Sequence, residues 1–170
     1  DWPNARLVRD AHLGVIWDGT SSVNALDVIQ RAVGKERAHR QLAAELGEKL
    51  AEARGVPGQF RTRVGNVLAQ SIDFAEEVAD NPDNERFTRV AASALYHVAT
   101  AVLMLNEGAR LGEAGGDARR LLMARFVLEH RLSDQSKLSV KHDSWEDPAI
   151  SLLLDEAPVS LDTASSLLSA

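Results

Sequence analysis

The chain has 170 residues, enough for one ordinary domain or two small helical units around a buried core. Its 45% hydrophobic and 26% charged content is that of a globular protein, and the 5% aromatic share leaves the core to Leu, Val and Ala. The net charge of −6 argues against a general phosphate-binding field, and the absence of cysteine excludes disulfides, thiolate metal sites and thiol nucleophiles.

No segment alternates like a strand, so the fold class read from the pattern is all-α, an antiparallel helix bundle with short turns. A first helix is predicted after Pro3, running to about Leu13, with Gly14 and the turn Trp17-Asp18-Gly19-Thr20 behind it. A second starts at Thr20, Ser21 or Ser22 and reaches Val33. Its polar residues Asn24, Asp27 and Arg31 form one stripe, which predicts a helix packed on most of its circumference. From Gly34 the composition changes, and His39, Leu42, Leu46, Leu50 and Ala53 recur at helical spacing up to the break Gly55-Val56-Pro57-Gly58. Phe60 to Val78 forms the next helix, ended by Asp80-Asn81-Pro82-Asp83-Asn84. A central buried helix spans about Glu85 to Leu111 and is closed by Gly112 and Gly115-Gly116. Asp117 is expected to cap a long helix reaching about Val140. Beyond His142, Pro148 and Pro158 are expected to break the helical pattern, before a short segment over 161–168. No continuous apolar run reaches the roughly 18 residues of a membrane span. No targeting signal opens the chain, and the lack of cysteine fits a reducing compartment such as the cytoplasm or an organelle matrix, mitochondrial or peroxisomal.

The richest segment is 1–33. There Ala5-Arg6-Leu7-Val8-Arg9-Asp10-Ala11 is followed by Ile16-Trp17-Asp18-Gly19-Thr20 and Leu26-Asp27-Val28-Ile29. This run resembles the acyl-CoA dehydrogenase family, in which an Arg-Asp-Ala helix leads into an aromatic-Glu-Gly-Thr turn and the last core helix. The tryptophan and the Leu-Asp-Val-Ile look most like the adaptive-response, alkylation-damage-induced branch. The resemblance divides the chain into 1–33, the end of the dehydrogenase C-terminal helical domain, and 34–170, a C-terminal helical extension.

The resemblance implies an FAD-dependent flavoprotein that forms the α,β double bond of an acyl-CoA thioester. It assigns Asp18 the base position, Trp17 the aromatic wall, and Gly19, Thr20 and Ser22 flavin contacts. It also implies that the chain acts only with the remaining domains of such a protein and is inert alone. Helix 20–33, with too little polar surface for a lone solvated helix, is expected to pack against another chain or those domains, giving a homo-oligomer. Two positions depart from the family pattern. Asp18 stands in place of Glu, which withdraws the carboxylate by roughly 1.5 Å, and Ser22 stands where many members carry Gln.

The residues carry a physical reading of their own. A carboxylate on a tight Gly turn, beside an indole and at a helix start, can be aimed rigidly into a pocket. Burial beside the ring would raise its pKa toward working pH. Amides at the helix start suit an anion such as a pyrophosphate. Equally, Asp18 before Gly19 is common turn chemistry, Trp17 alone fits a core, and Arg9 with Asp10 fits an ion pair.

The five histidines show no metal-ligand spacing, and Gly112, Gly115 and Gly116 lack the Lys and Ser/Thr of a phosphate loop. Arg119, Arg120, Arg125, Arg131, Lys137 and Lys141 bias the C-terminal helix toward positive charge, a solvated face or an anion contact. Residues 1–33 hold Arg6, Arg9 and Arg31 against Asp1, Asp10, Asp18 and Asp27. The extension 34–170 thus keeps 16 of the 19 basic and 21 of the 25 acidic residues, a net −5. That balance makes nucleic acid a poor partner. Oxidoreductase fragment, non-catalytic interaction module and nucleic-acid-binding flavoprotein are the three readings, in that order.

Overall fold

The computed structural model describes residues 6–8, 10, 21–133 and 143–169. Among them every regular element is a helix, and no strand occurs. Helix α1 covers Ser21–Leu26 and continues as a wide π-helical turn over Asp27–Lys35. Helices α2 (Ala38–Glu52) and α3 (Gly58–Asp80) come next, then a 3₁₀ segment (Pro82–Phe87) and the long α4 (Thr88–Glu113). Helix α5 (Arg119–Val127) runs into a second π turn (Leu128–Leu132), and α6 (Glu146–Leu154) and α7 (Leu161–Ser169) complete the bundle.

Local chemistry explains most boundaries. Asn81 Oδ1 accepts the Asp83 N–H at 3.0 Å, and Pro82 opens the 3₁₀ segment where its missing donor is not needed. At the end of α4, Gly115 takes φ +75°, and Gly116 N–H returns to Leu111 O at 2.9 Å. Asp117 is the expected cap. Its Oδ1 accepts from Arg119 N at 3.0 Å and from Val159 N at 3.1 Å, tying the start of α5 to the segment before α7. The Gly55 peptide is held from both sides: its N–H donates to Glu113 Oε1 and its carbonyl accepts from Ser165 Oγ.

Helix α4 is the spine, packed against α1, α2, α3 and α5. Leu95, Val98, Val102 and Leu105 face inward and are buried, together with Val64 and Leu68 of α3 and Leu121 and Leu122 of α5. Gly108 lets α5 come close, since a Cβ there would stand 2.9 Å from the Leu121 nitrogen.

Several expectations change. Helix α1 and its π turn bury only Ala25, Ile29 and Val33, one narrow stripe, while Val23 and Val28 stay exposed. Covering most of its circumference would need more neighbours than α2, α3 and α4 supply. The C-terminal α5 ends at Val127, and its π turn gives way to extended backbone at Ser133; residues 134–140 lie outside the described ones. Pro148 does not break α6, because it falls in the first turn, where its missing N–H has no intrahelical partner to lose. By length and composition Pro82–Glu113 could cross a membrane, although no uninterrupted apolar run is that long. Its apolar residues divide between the bundle core and an outer face.

Candidate functional sites

Trp17, Asp18, Gly19 and Thr20 lie outside the described residues. Ser22, the fifth predicted site residue, occupies the exposed first turn of α1. Two turns on, Arg31 grips Asp27 with both Nε and Nη2 and reaches Glu36 Oε1 at 3.1 Å. The Arg31 hydrogen bonds hold the Asp27 carboxyl below its ordinary pKa.

Three polar groupings occur elsewhere. In the first, Arg37, Arg40 and His39 converge on Glu76 across α2 and α3. Arg40 Nη2 and Arg37 Nη1 donate to Glu76 Oε1 at 2.6 and 3.0 Å, and Arg37 Nη2 reaches Asp80 Oδ1 at 2.8 Å. The Arg40 bond, outweighing desolvation, lowers the Glu76 pKa. His39 is buried with neither ring nitrogen hydrogen-bonded, and its Nε2 stands 3.7 Å from Glu76 Oε1. That is too long for a relay, and two guanidiniums already neutralise the carboxylate. Arg37 itself sits at φ 53°, a left-handed conformation held by these ion pairs.

The second grouping is buried under α6. Arg125 is 6% exposed, lies under the Trp145 ring and donates Nη1 to the Leu167 carbonyl. Glu129, 3.8 Å from Arg125 Nε, accepts both Arg63 amino groups at 2.6 and 2.8 Å. Burial lowers the Arg125 pKa, opposed by the Glu129 charge. The predicted basic face is therefore not one: Arg125 points inward, Arg119 pairs with Asp117 and Arg120 with Glu107. Lys137 and Lys141 lie outside the described residues. Sequence pattern could not show this, since a helical arginine reads as solvated until its neighbours are known.

The third grouping comprises two surface cavities. One of about 410 Å³ runs along α4 and α5 between Met104, Leu111 and Met123, with Arg119 and Arg120 at its rim. Both arginines are already matched by carboxylates. The other, about 290 Å³, has Val67, Phe74, Val90 and Leu132 as its apolar wall and Arg131 at its edge. Neither cavity includes Ser22. No group of three or more His, Asp or Glu side chains among the described residues could hold a metal ion.

Of the predicted flavin-contacting residues, Ser22 falls among the described residues, and it is exposed. No family model, characterised protein or solved structure matches the chain.

Proposed function

We propose that this chain is the C-terminal portion of an FAD-dependent acyl-CoA dehydrogenase-like oxidoreductase, active together with the domains that hold flavin and substrate. One observation carries the reading: the run Trp17-Asp18-Gly19-Thr20, succeeded at once by helix α1 and its π-helical continuation, which together contain Leu26-Asp27-Val28-Ile29. A Gly-containing run placed directly before a helix is what the family's base-bearing segment needs. The all-helical fold supports it at a coarser level.

In this reading a bound flavin would supply the hydride acceptor for oxidation at the β-carbon of the acyl group. Asp18 removes the α-proton, the Trp17 indole walls the pocket and excludes water, and Ser22 offers a hydroxyl to the cofactor. Excluding water strengthens the carboxylate as a base by raising its pKa.

The test uses the protein with its flavin- and substrate-holding domains. Asp18→Asn is expected to bind flavin normally and to lose rate of flavin reduction by acyl-CoA by roughly two to four orders of magnitude. Unchanged reduction would leave Asp18 a turn residue. A parent protein that never takes up flavin would overturn the reading.

A second reading, a non-catalytic interaction module over residues 34–170, is favoured by the outer face of α4. Tyr96 and Leu103 remain 67% and 52% exposed there on the helix that organises the core.

A further inference from the structure

We propose that two copies of this chain pair through the outer face of α4, antiparallel and centred on the level of Val98. Along that face Arg89, Ser93, Tyr96, Thr100, Leu103 and Glu107 succeed one another at alternating steps of four and three residues. That is the spacing of a helix-pair seam. Among the described residues, helices α1, α2, α3 and α5 pack on the rest of α4 and leave the seam open. A tyrosine and a leucine two helical turns apart on an open face are surface that a partner covers.

The order of residues along the seam selects a second copy. Reversed about Val98, the seam matches itself: Tyr96 and Thr100 stand two residues to either side, Ser93 and Leu103 five, Arg89 and Glu107 nine. An antiparallel pair sets Leu103 over the small Ser93 of the partner and Tyr96 against Thr100. The Thr100 hydroxyl is already bonded to the Tyr96 carbonyl at 2.8 Å, which leaves its methyl for that contact. Each end closes with Arg89 facing Glu107, whose Oε2 accepts from Arg120 and whose other oxygen remains. A parallel pair would set arginine on arginine.

Beyond the ends of the seam, Glu85 in the 3₁₀ segment before α4 and Arg110 near the end of α4 lie thirteen and twelve residues from Val98. Neither they nor Arg89 pair with an opposite charge among the described residues. Antiparallel pairing brings Glu85 of each copy to Arg110 of the other. Unmatched charges of opposite sign at reciprocal positions are the mark of a self-complementary, two-fold contact. The pairing does not depend on the oxidoreductase reading.

Sedimentation equilibrium of the 170-residue chain is expected to show a monomer–dimer equilibrium. Leu103→Asp should raise the dissociation constant at least tenfold with unchanged helical circular dichroism, because the side chain is exposed in the monomer. Glu85→Arg and Arg110→Glu, each alone, should raise it by about tenfold, since attraction turns to repulsion at both ends. An equimolar mixture of those two variants should recover the parent affinity as a mixed dimer, because both opposed pairs regain opposite charges. A chain that stays monomeric at about 100 μM, including one that then binds phosphatidylcholine vesicles, overturns the proposal. So does a dimer indifferent to Leu103→Asp, or a mixture that fails to recover.

Discussion

The guanidinium of Arg125 lies 4.2 Å from the centre of the Trp145 ring, so a buried cation and a buried indole form the joint between α5 and α6. Phe126 adds a tilted ring 4.8 Å from the same indole. Trp145→Ala is expected to cost about 3–5 kcal/mol of unfolding free energy in urea titrations. Glu129→Ala should cost a similar ~3–5 kcal/mol, because it leaves Arg125 buried beside Arg63 without its main counter-charge. Arg125→Met should stay within about 1.5 kcal/mol of the parent, since the charge leaves with the side chain while Glu129 keeps Arg63. An Arg125→Met protein as unstable as Glu129→Ala would refute this account of the cluster.

Two helical glycines should respond in opposite directions to alanine. A Cβ at Gly108 would meet the Leu121 backbone nitrogen at 2.9 Å, and backbone cannot swing aside. Gly108→Ala is therefore expected to lose about 1–3 kcal/mol despite its better helix propensity. Around Gly47 in α2 nothing lies within 4 Å of the new methyl, so Gly47→Ala should gain roughly 0.5–1 kcal/mol. Thermal unfolding of the two variants side by side decides it.

Acid should unfold the bundle through its paired carboxylates. Asp117 is held below its ordinary pKa although burial pushes the other way, because the Arg119 and Val159 N–H groups outweigh it. Asp27, Glu52 and Glu76 are lowered too, chiefly by hydrogen bonds from Arg31, Lys49 and Arg40. A carboxyl whose folded pKa is depressed adds stability above its unfolded pKa of about 4, and that stability is lost as pH falls through the folded value. Unfolding free energy is therefore expected to be flat near neutrality and to drop below about pH 4.5. Asp117→Asn, which keeps an oxygen acceptor and loses the charge, should flatten part of that slope.

The shortened base gives a directional test of the proposed chemistry. In the flavin-loaded protein, Asp18→Glu restores roughly 1.5 Å of reach and is expected to keep or raise the rate of flavin reduction by acyl-CoA. Stopped-flow loss of flavin absorbance measures it. A large fall on lengthening would count against Asp18 acting as the base.

Helix limits were legible because they are local. Pro57-Gly58, Asn81-Pro82, Gly115-Gly116 and Asp117 act through their own φ angles and side-chain oxygens, within a few residues of the chain. The core periodicity of α2, α3 and α4 was legible for the same reason, since Leu46, Leu50, Val64, Leu68 and Val98 repeat at 3.6 residues. The proposal of a base at Asp18 rests on residue types alone, Trp17 to Thr20; of the residues it names, the fold positions Ser22, on the exposed start of α1.

Sequence by itself determined the all-helical class, most of the breaks and the core faces of α2, α3 and α4. Tertiary structure alone decided which of two apolar sides of α4 is core, because Leu95 and Tyr96 are equally apolar in pattern and only the positions of α1, α2, α3 and α5 bury one and leave the other open. It also decided that Arg125 goes inside while Arg120 stays out: an arginine is buried only where a ring, a carbonyl and a carboxylate from distant segments together replace its water, and Trp145, Leu167 and Glu129 do so at one point in the bundle.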